Sequence, residues 1–210
     1  MSQSHDSHSS SHPPIPAGEA LARLHAGNES FRDNLFRSEV ESGRYQELLE
    51  GQHPFAAILC CSDSRVPPEL IFDRGLGELF VIRNPGNVLH DVVLGSIEYA
   101  VDHLGIQLIV VLGHEKCGAI TATVASYMEP VPSELTLGHL ASIVDRIRPA
   151  LEKVRGQEGD LVANTIDAHI VATVASLKAD PLFAERMEQG RLQVVGMRYN
   201  LRDGTVAPVA

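Results

Sequence analysis

The chain has 210 residues, 44% hydrophobic and 21% charged, with no tryptophan, three cysteines and a formal net charge of −10 at pH 7. That size suits one α/β domain, no run approaches the ~18 consecutive apolar residues of a membrane span, and an acidic chain without a basic stripe argues against unaided binding to nucleic acid or anionic lipid. Three cysteines do not make a disulfide framework and the start lacks a secretory pattern, so the expected setting is the reducing cytoplasm.

In chain order, residues 1–14 are Ser- and His-rich, with His5, His8 and His12, and carry too few apolar groups to pack, so they read as a solvated, disordered tail. Residues 15–210 read as the single domain. Residues 17–36 place Leu21, Leu24, Phe31 and Leu35 at near-helical spacing, and Tyr45, Leu48 and Leu49 suggest a further short helix. Such an arm is covered either by a neighbouring subunit or by the chain's own sheet. Residues 55–60 form a small, apolar run of buried-strand length. Pro67 and Pro68 open a short helix with Glu69 in its first turn. Residues 78–83 read as a strand, and residues 91–104 as a helix capped by Asp91 with Val92, Val93, Ile97 and Val101 inward.

Residues 108–112, Leu-Ile-Val-Val-Leu, are the most strand-like run in the chain. Leu137, Leu140, Ile143, Val144, Ile147, Leu151 and Val154 then make a helical stripe, residues 160–177 another, and residues 192–197 a last strand. The β-α-β-α-β order followed by helices and a late strand predicts an α/β fold: a mainly parallel central sheet flanked by helices, with an N-terminal helical arm.

Chemistry-bearing residues stand where two of these strands stop. Cys61-Ser62-Asp63-Ser64-Arg65 follows the first, and His114-Glu115-Lys116-Cys117-Gly118 follows the run at 108–112. Carboxyl ends of strands are where open α/β sheets hold ligands. Two thiolates and a neutral imidazole fill three corners of a zinc tetrahedron and leave the fourth open, the pattern of a catalytic site. His114 and Cys117, three apart, face one ion if the chain turns from strand into helix there; Gly118 suits that turn, and a helix N-terminus would lower the Cys117 pKa. A free buried Cys is, on its own, more often a small apolar residue. Asp63 and Arg65, two apart in an extended segment, are placed for a bidentate ion pair that either orients a metal-bound water or merely shapes the loop.

These segments resemble the β-class carbonic anhydrases. The resemblance runs from Ala57 to Ile120 through Cys-Ser-Asp-Ser-Arg-Val-Pro-Pro-Glu at 61–69, Glu-Leu-Phe-Val-Ile-Arg-Asn-Pro-Gly-Asn at 78–87, Ser-Ile-Glu-Tyr-Ala at 96–100 and Val-Val-Leu-Gly-His-Glu-Lys-Cys-Gly-Ala at 110–119, and more weakly to residues 27–31 and 195–200. It implies Cys61, His114 and Cys117 as zinc ligands, one Zn2+ per chain, Asp63 and Arg65 as a catalytic dyad, and the Gly118 N–H as a substrate donor. In some members the Asp leaves its Arg to become a fourth zinc ligand, which gives Asp63 a second implied role in a closed state. The implied reaction is reversible hydration of carbon dioxide by zinc-bound hydroxide, and the implied assembly a homodimer or higher homo-oligomer. Members with an inhibitory bicarbonate site carry Trp three residues before the first Cys, with an Arg matching Arg83; Ile58 stands in the Trp position, so that pocket is not expected in its usual form.

Two thiolates cancel the charge of a dication, so hydration is expected to speed up through the mildly alkaline range. The proton carrier is not legible among His90, His103, His139 and His169. Adjacent Cys60 and Cys61 are not a Cys-x-x-Cys redox pair, Arg65 lies four residues after Cys61 and five after Cys60 rather than in a phosphatase loop, and Gly75-Leu76-Gly77 precedes a strand instead of following one. The remaining rivals keep the metal: hydrolysis of carbon disulfide or carbonyl sulfide, or a zinc-bound protein without turnover.

Overall fold

Six consecutive buried residues, Ala56–Cys61, make β1, and seven more, Leu108–His114, make β3 beside it. Both are free of charged residues, and of turn-forming ones up to Gly113, so they sit in the middle of the sheet with both faces covered. The computed structural model describes residues 13–35, 44–128 and 138–210. The His-rich start to residue 12, Phe36 and Leu137 lie outside the described residues.

The sheet has the order β2-β1-β3-β4-β5, where β2 is Leu79–Asn84, β4 Gln193–Tyr199 and β5 Val206–Pro208. The first four strands are parallel and β5 returns antiparallel to β4. From β1 the chain crosses to β2 on one side; from β2 it crosses back to β3 on the other. The loops leaving β1 and β3 therefore diverge at adjacent strand ends, which opens a crevice there.

Period-2 alternation sends Ala57, Leu59 and Cys61 of β1 to one face with Ile109 and Val111 of β3, and Ala56, Ile58 and Cys60 to the other with Leu108, Val110 and Leu112. The first face is covered by α4 (Asp91–Asp102), α5 (Gly118–Met128), α6 (Leu140–Val154), α7 (Leu161–Ala179) and α8 (Pro181–Glu188). Helix α7 lies closest. A Cβ on Gly113 or Gly196 would stand 2.5 or 2.6 Å from the Ile170 side chain, so these two glycines make the floor on which α7 rests.

The second face is covered by α1 (Ala17–Arg32) and α3 (Pro68–Ile71), while α2 (Arg44–Glu47) buries nothing. The apolar stripe of α1 is thus covered by the chain's own sheet through Ala20 and Leu24, although Leu35, beyond the helix, is exposed. Asn28 ties the layer together: its side chain donates to Ile71 O and Gly204 O and accepts from the Val206 N–H.

Three expectations need correction. Asp91 does not cap α4; it is the first helical residue, after His90 in extended conformation, and no side chain caps that end. Val92 points outward at 74% exposure, because the helix buries Val93, Ile97, Ala100 and Val101 and the preceding position falls on the opposite side. Strand β5 was not expected, being three residues long with a terminal proline. No helix among the described residues is long and apolar enough to cross a membrane.

Candidate metal centre

Cys61 is the last residue of β1 and His114 the last of β3, so the crevice between the two strand ends holds both side chains. Cys117 follows after a tight turn. The turn is made by Lys116, at φ +52°, and not by Gly118, which is the first residue of α5. A left-handed non-glycine residue carries strain, and here it swings Cys117 back toward His114.

One sulfur from each cysteine and one ring nitrogen of His114 lie within 4.8 Å of one another, and all three residues are buried. The sulfurs are 3.9 Å apart. That is far too long for a disulfide at ~2.05 Å, and close to the ~3.8 Å expected for two sulfurs on one tetrahedral zinc. His114 Nδ1 donates to Glu115 O at 2.8 Å, which fixes the tautomer and leaves Nε2 with a free lone pair. Nε2 is buried and has no hydrogen-bond partner. An orphaned imidazole nitrogen beside two sulfurs is the donor set a zinc ion satisfies.

The two sulfurs shift in opposite directions. The Cys61 thiol is pulled down to about 4, chiefly by the hydrogen bond from Cys117, with further help from His114 and the amides of Gly86 and Asp63. Gly86 N lies 3.3 Å from the Cys61 sulfur. Cys117 moves the other way, raised by that same hydrogen bond and by burial, although the Ala119 and Ile120 amides at the start of α5 lower it. The expected helix effect is therefore present but outweighed. Two sulfurs joined by one hydrogen bond titrate as a pair, one thiolate being stabilised at its neighbour's expense. Cys60, on the other face of the sheet, is pushed up to about 12 by burial and is an inert core thiol.

Asp63 and Arg65 form the bidentate pair the spacing suggests. Asp63 Oδ1 accepts from Arg65 Nε at 2.9 Å and from its backbone N at 3.0 Å, and Oδ2 accepts from Nη2 at 2.7 Å. The Arg65 guanidinium holds the Asp63 carboxyl down to about 2. Asp63 Oδ2 is 4.0 Å from His114 Nε2, so the pair borders the three donors directly.

A family profile described as carbonic anhydrase matches residues 56–206. Carbonic anhydrase 2 of Mycobacterium tuberculosis is 40% identical over 193 residues, covering 91% of this chain and 90% of that protein. The chain belongs to the β-class carbonic anhydrases. Among solved structures, the β-carbonic anhydrase CcaA superposes with a TM-score of 0.70 at 30% identity, covering 90% of this chain and 94% of that one. A tetrameric β-carbonic anhydrase of Sordaria macrospora shares the fold at a TM-score of 0.69 and 23% identity, with 91% and 94% covered. The protein is thus a carbonic anhydrase, a carbonate dehydratase, with a Cys-His-Cys cluster at its strand ends.

Around that cluster this carbonic anhydrase gives some residues roles that its sequence did not reveal. Arg83 of β2 donates from Nε to Cys61 O at 3.1 Å and from Nη2 to Asp63 O at 2.8 Å, and so holds the loop that carries both residues. Ile58 is fully buried in the opposite face of the sheet. Asn84 clamps the next turn by donating to Val88 O and accepting from Val88 N. Side chains reaching distant carbonyls leave no periodic mark on a sequence, so Arg83 was legible as a strand residue and as the match to the bicarbonate-site Arg, not as a clamp on this loop. Of the histidines, His103 ends α4 and His139 precedes α6, both exposed, while His169 is buried in α7. Gly118 is exposed, with open space where a Cβ would stand.

Proposed function

We propose that Cys61, His114 and Cys117 hold one zinc ion per chain, and that Asp63, fixed by Arg65, orients the water that attacks carbon dioxide. The observation that carries this is the convergence of two sulfurs and one partnerless ring nitrogen. When bound, zinc supplies a Lewis acid that makes water nucleophilic near neutral pH. Asp63 is ionised throughout the working range and can only accept hydrogen bonds. It takes the O–H of the attacking water and turns a lone pair toward the substrate carbon. Arg65 keeps the carboxylate in that pose with three donors. The Gly118 N–H, at the first turn of α5, serves as a donor to a substrate oxygen, where the helix N-terminus favours growing negative charge.

In this reading the hydrogen bonds from Arg65 to both Asp63 oxygens support an open site, and release from Arg65 would free Asp63 as a fourth ligand. Three free cysteines, two of them in contact yet unbonded, support a reducing, cytoplasmic setting. Solvent-facing Leu49, Val92 and Tyr45 and the position of β2 at the end of the sheet support a homo-oligomer.

Zinc content and hydration rate measured together test the proposal. Wild type and Asp63→Ala should each hold one zinc, with a rate loss of about a hundredfold or more in the variant only. Cys61→Ser should lose metal as well. Full activity in Asp63→Ala would remove Asp63 from the chemistry.

A further inference from the structure

Behind the Cys61 sulfur stands a two-step connection that reaches helix α7. Gly86 lies in the single 3-10 turn after β2, at φ +73° and ψ +17°. Its N–H points at Cys61 Sγ, and its carbonyl accepts from His169 Nε2 at 2.9 Å in a fully buried contact. A carbonyl has no proton to give, so Nε2 carries the hydrogen and the ring is held in the Nε2–H tautomer. The two peptide units that meet at the Gly86 Cα are thus fixed at their outer ends, one by sulfur and one by imidazole.

Glycine is the residue least able to hold such an orientation by itself, since both of its dihedrals are soft. Nothing larger fits: a Cβ there would lie 2.9 Å from Ile147 Cδ1 and 3.0 Å from the Ala119 Cβ, at a left-handed φ. The site therefore combines an amide that must stay aimed with a residue that cannot aim it unaided. His169 reaches this carbonyl from an element rigidly seated on the sheet by Ile170. Burial lowers the His169 pKa, which keeps the ring neutral.

We propose that His169 is a positioning residue of the metal centre: it clamps the Gly86 backbone so that the Gly86 N–H remains directed at the Cys61 sulfur. The inference rests on the reading of Cys61 as a metal ligand. An N–H held on a thiolate withdraws charge from it and limits its motion, so the clamp sets how firmly that sulfur stays on the ion. His169 does not touch substrate and carries no proton in this role.

The test compares wild type, His169→Leu and His169→Gln, all loaded with zinc and, separately, with cobalt(II). Zinc release to an excess of a chromophoric chelator gives the off-rate, and the sulfur-to-cobalt charge-transfer band reports the thiolate directly. His169→Leu should release zinc about tenfold faster, within the usual range for lost outer partners of metal ligands, and should shift the band. His169→Gln, whose amide keeps a donor at the same reach, should recover most of both. Unchanged release and an unchanged band in His169→Leu overturn the proposal. Equal impairment in both variants also overturns it, because the ring's volume rather than its N–H would then be what matters.

Should His169→Leu fail to fold, nitrogen-15 NMR of the wild-type imidazole decides: a neutral Nε2–H ring is required, and an Nδ1–H ring refutes the clamp. Wild type that takes up neither metal refutes the metal reading itself and the clamp with it. Tight wild-type uptake with indifferent variants refutes only the role of His169.

Discussion

The environment of Asp63 sets a clear sign for its protonation. Its folded value near 2 lies below the ordinary carboxylate value of about 3.9. The stability this contributes is complete above about pH 4 and is lost as pH falls toward 2. No change in rate above pH 5 can therefore belong to Asp63. Asp63→Asn should lower the hydration rate by a similar factor at every pH from 6 to 9 and leave the profile's shape intact. The rise through the mildly alkaline range should persist in the variant; a midpoint displaced by a full unit would place the titration on Asp63 instead.

At the scale of elements, the informative joint is Asn28. One buried amide serves α1, the end of α3 and the β4–β5 return, satisfying two carbonyls and one N–H that have crossed the chain to meet it. Asn28→Ala leaves those groups buried without partners, at about 1–3 kcal/mol for each one that water does not reach. A lower denaturation midpoint with unaltered zinc stoichiometry is the expected outcome, since Cys61 and Cys117 pack on the opposite face of the sheet. Urea titration with a metal assay on the same samples checks both halves.

The same elements show why some of this architecture could be read in advance. Strands β1 and β3 announced themselves because both faces are buried and no residue interrupts the apolar run. The donor set followed, as each donor ends a strand or immediately precedes a helix. Lys116, Gly86, Arg83 and Asn28 were not legible in their roles. A left-handed lysine, a glycine aimed at sulfur, and side chains that reach carbonyls 20 or more residues away obey tertiary packing, which no local period encodes. Strand β5 escaped for the opposite reason: Val206–Pro208 is too short to show alternation and pairs only because β4 is already in place.

For the molecule as a whole, the proposed metal and the sheet should make separable contributions. Both apolar clusters extend far beyond the site, so prolonged chelation should leave far-UV circular dichroism largely unchanged. The melting temperature should nevertheless fall by several degrees and return when zinc is restored, since an ion that binds only the folded state stabilises it by mass action. Collapse of the dichroism on chelation would show that the sheet depends on the ion. Light scattering behind a sizing column should report at least twice the 22.7 kDa chain mass, as expected of a surface bearing Val92 at 74% exposure and Leu49 at 80%.

The placement of Cys60 and Cys61 on opposite sides of β1 bears on how the chain finds its native threading. Were the strand to slide by one position, the neighbouring thiol would arrive at the mouth of the crevice, and an incoming ion would still meet two sulfurs. Zinc capture thus cannot proofread alignment here. That discrimination falls to bulk on the α1 side alone: a slid strand would put Phe55 where Ala56 packs, Ala57 where Ile58 packs and Leu59 where Cys60 packs, while the α7 side would meet residues of nearly the same size.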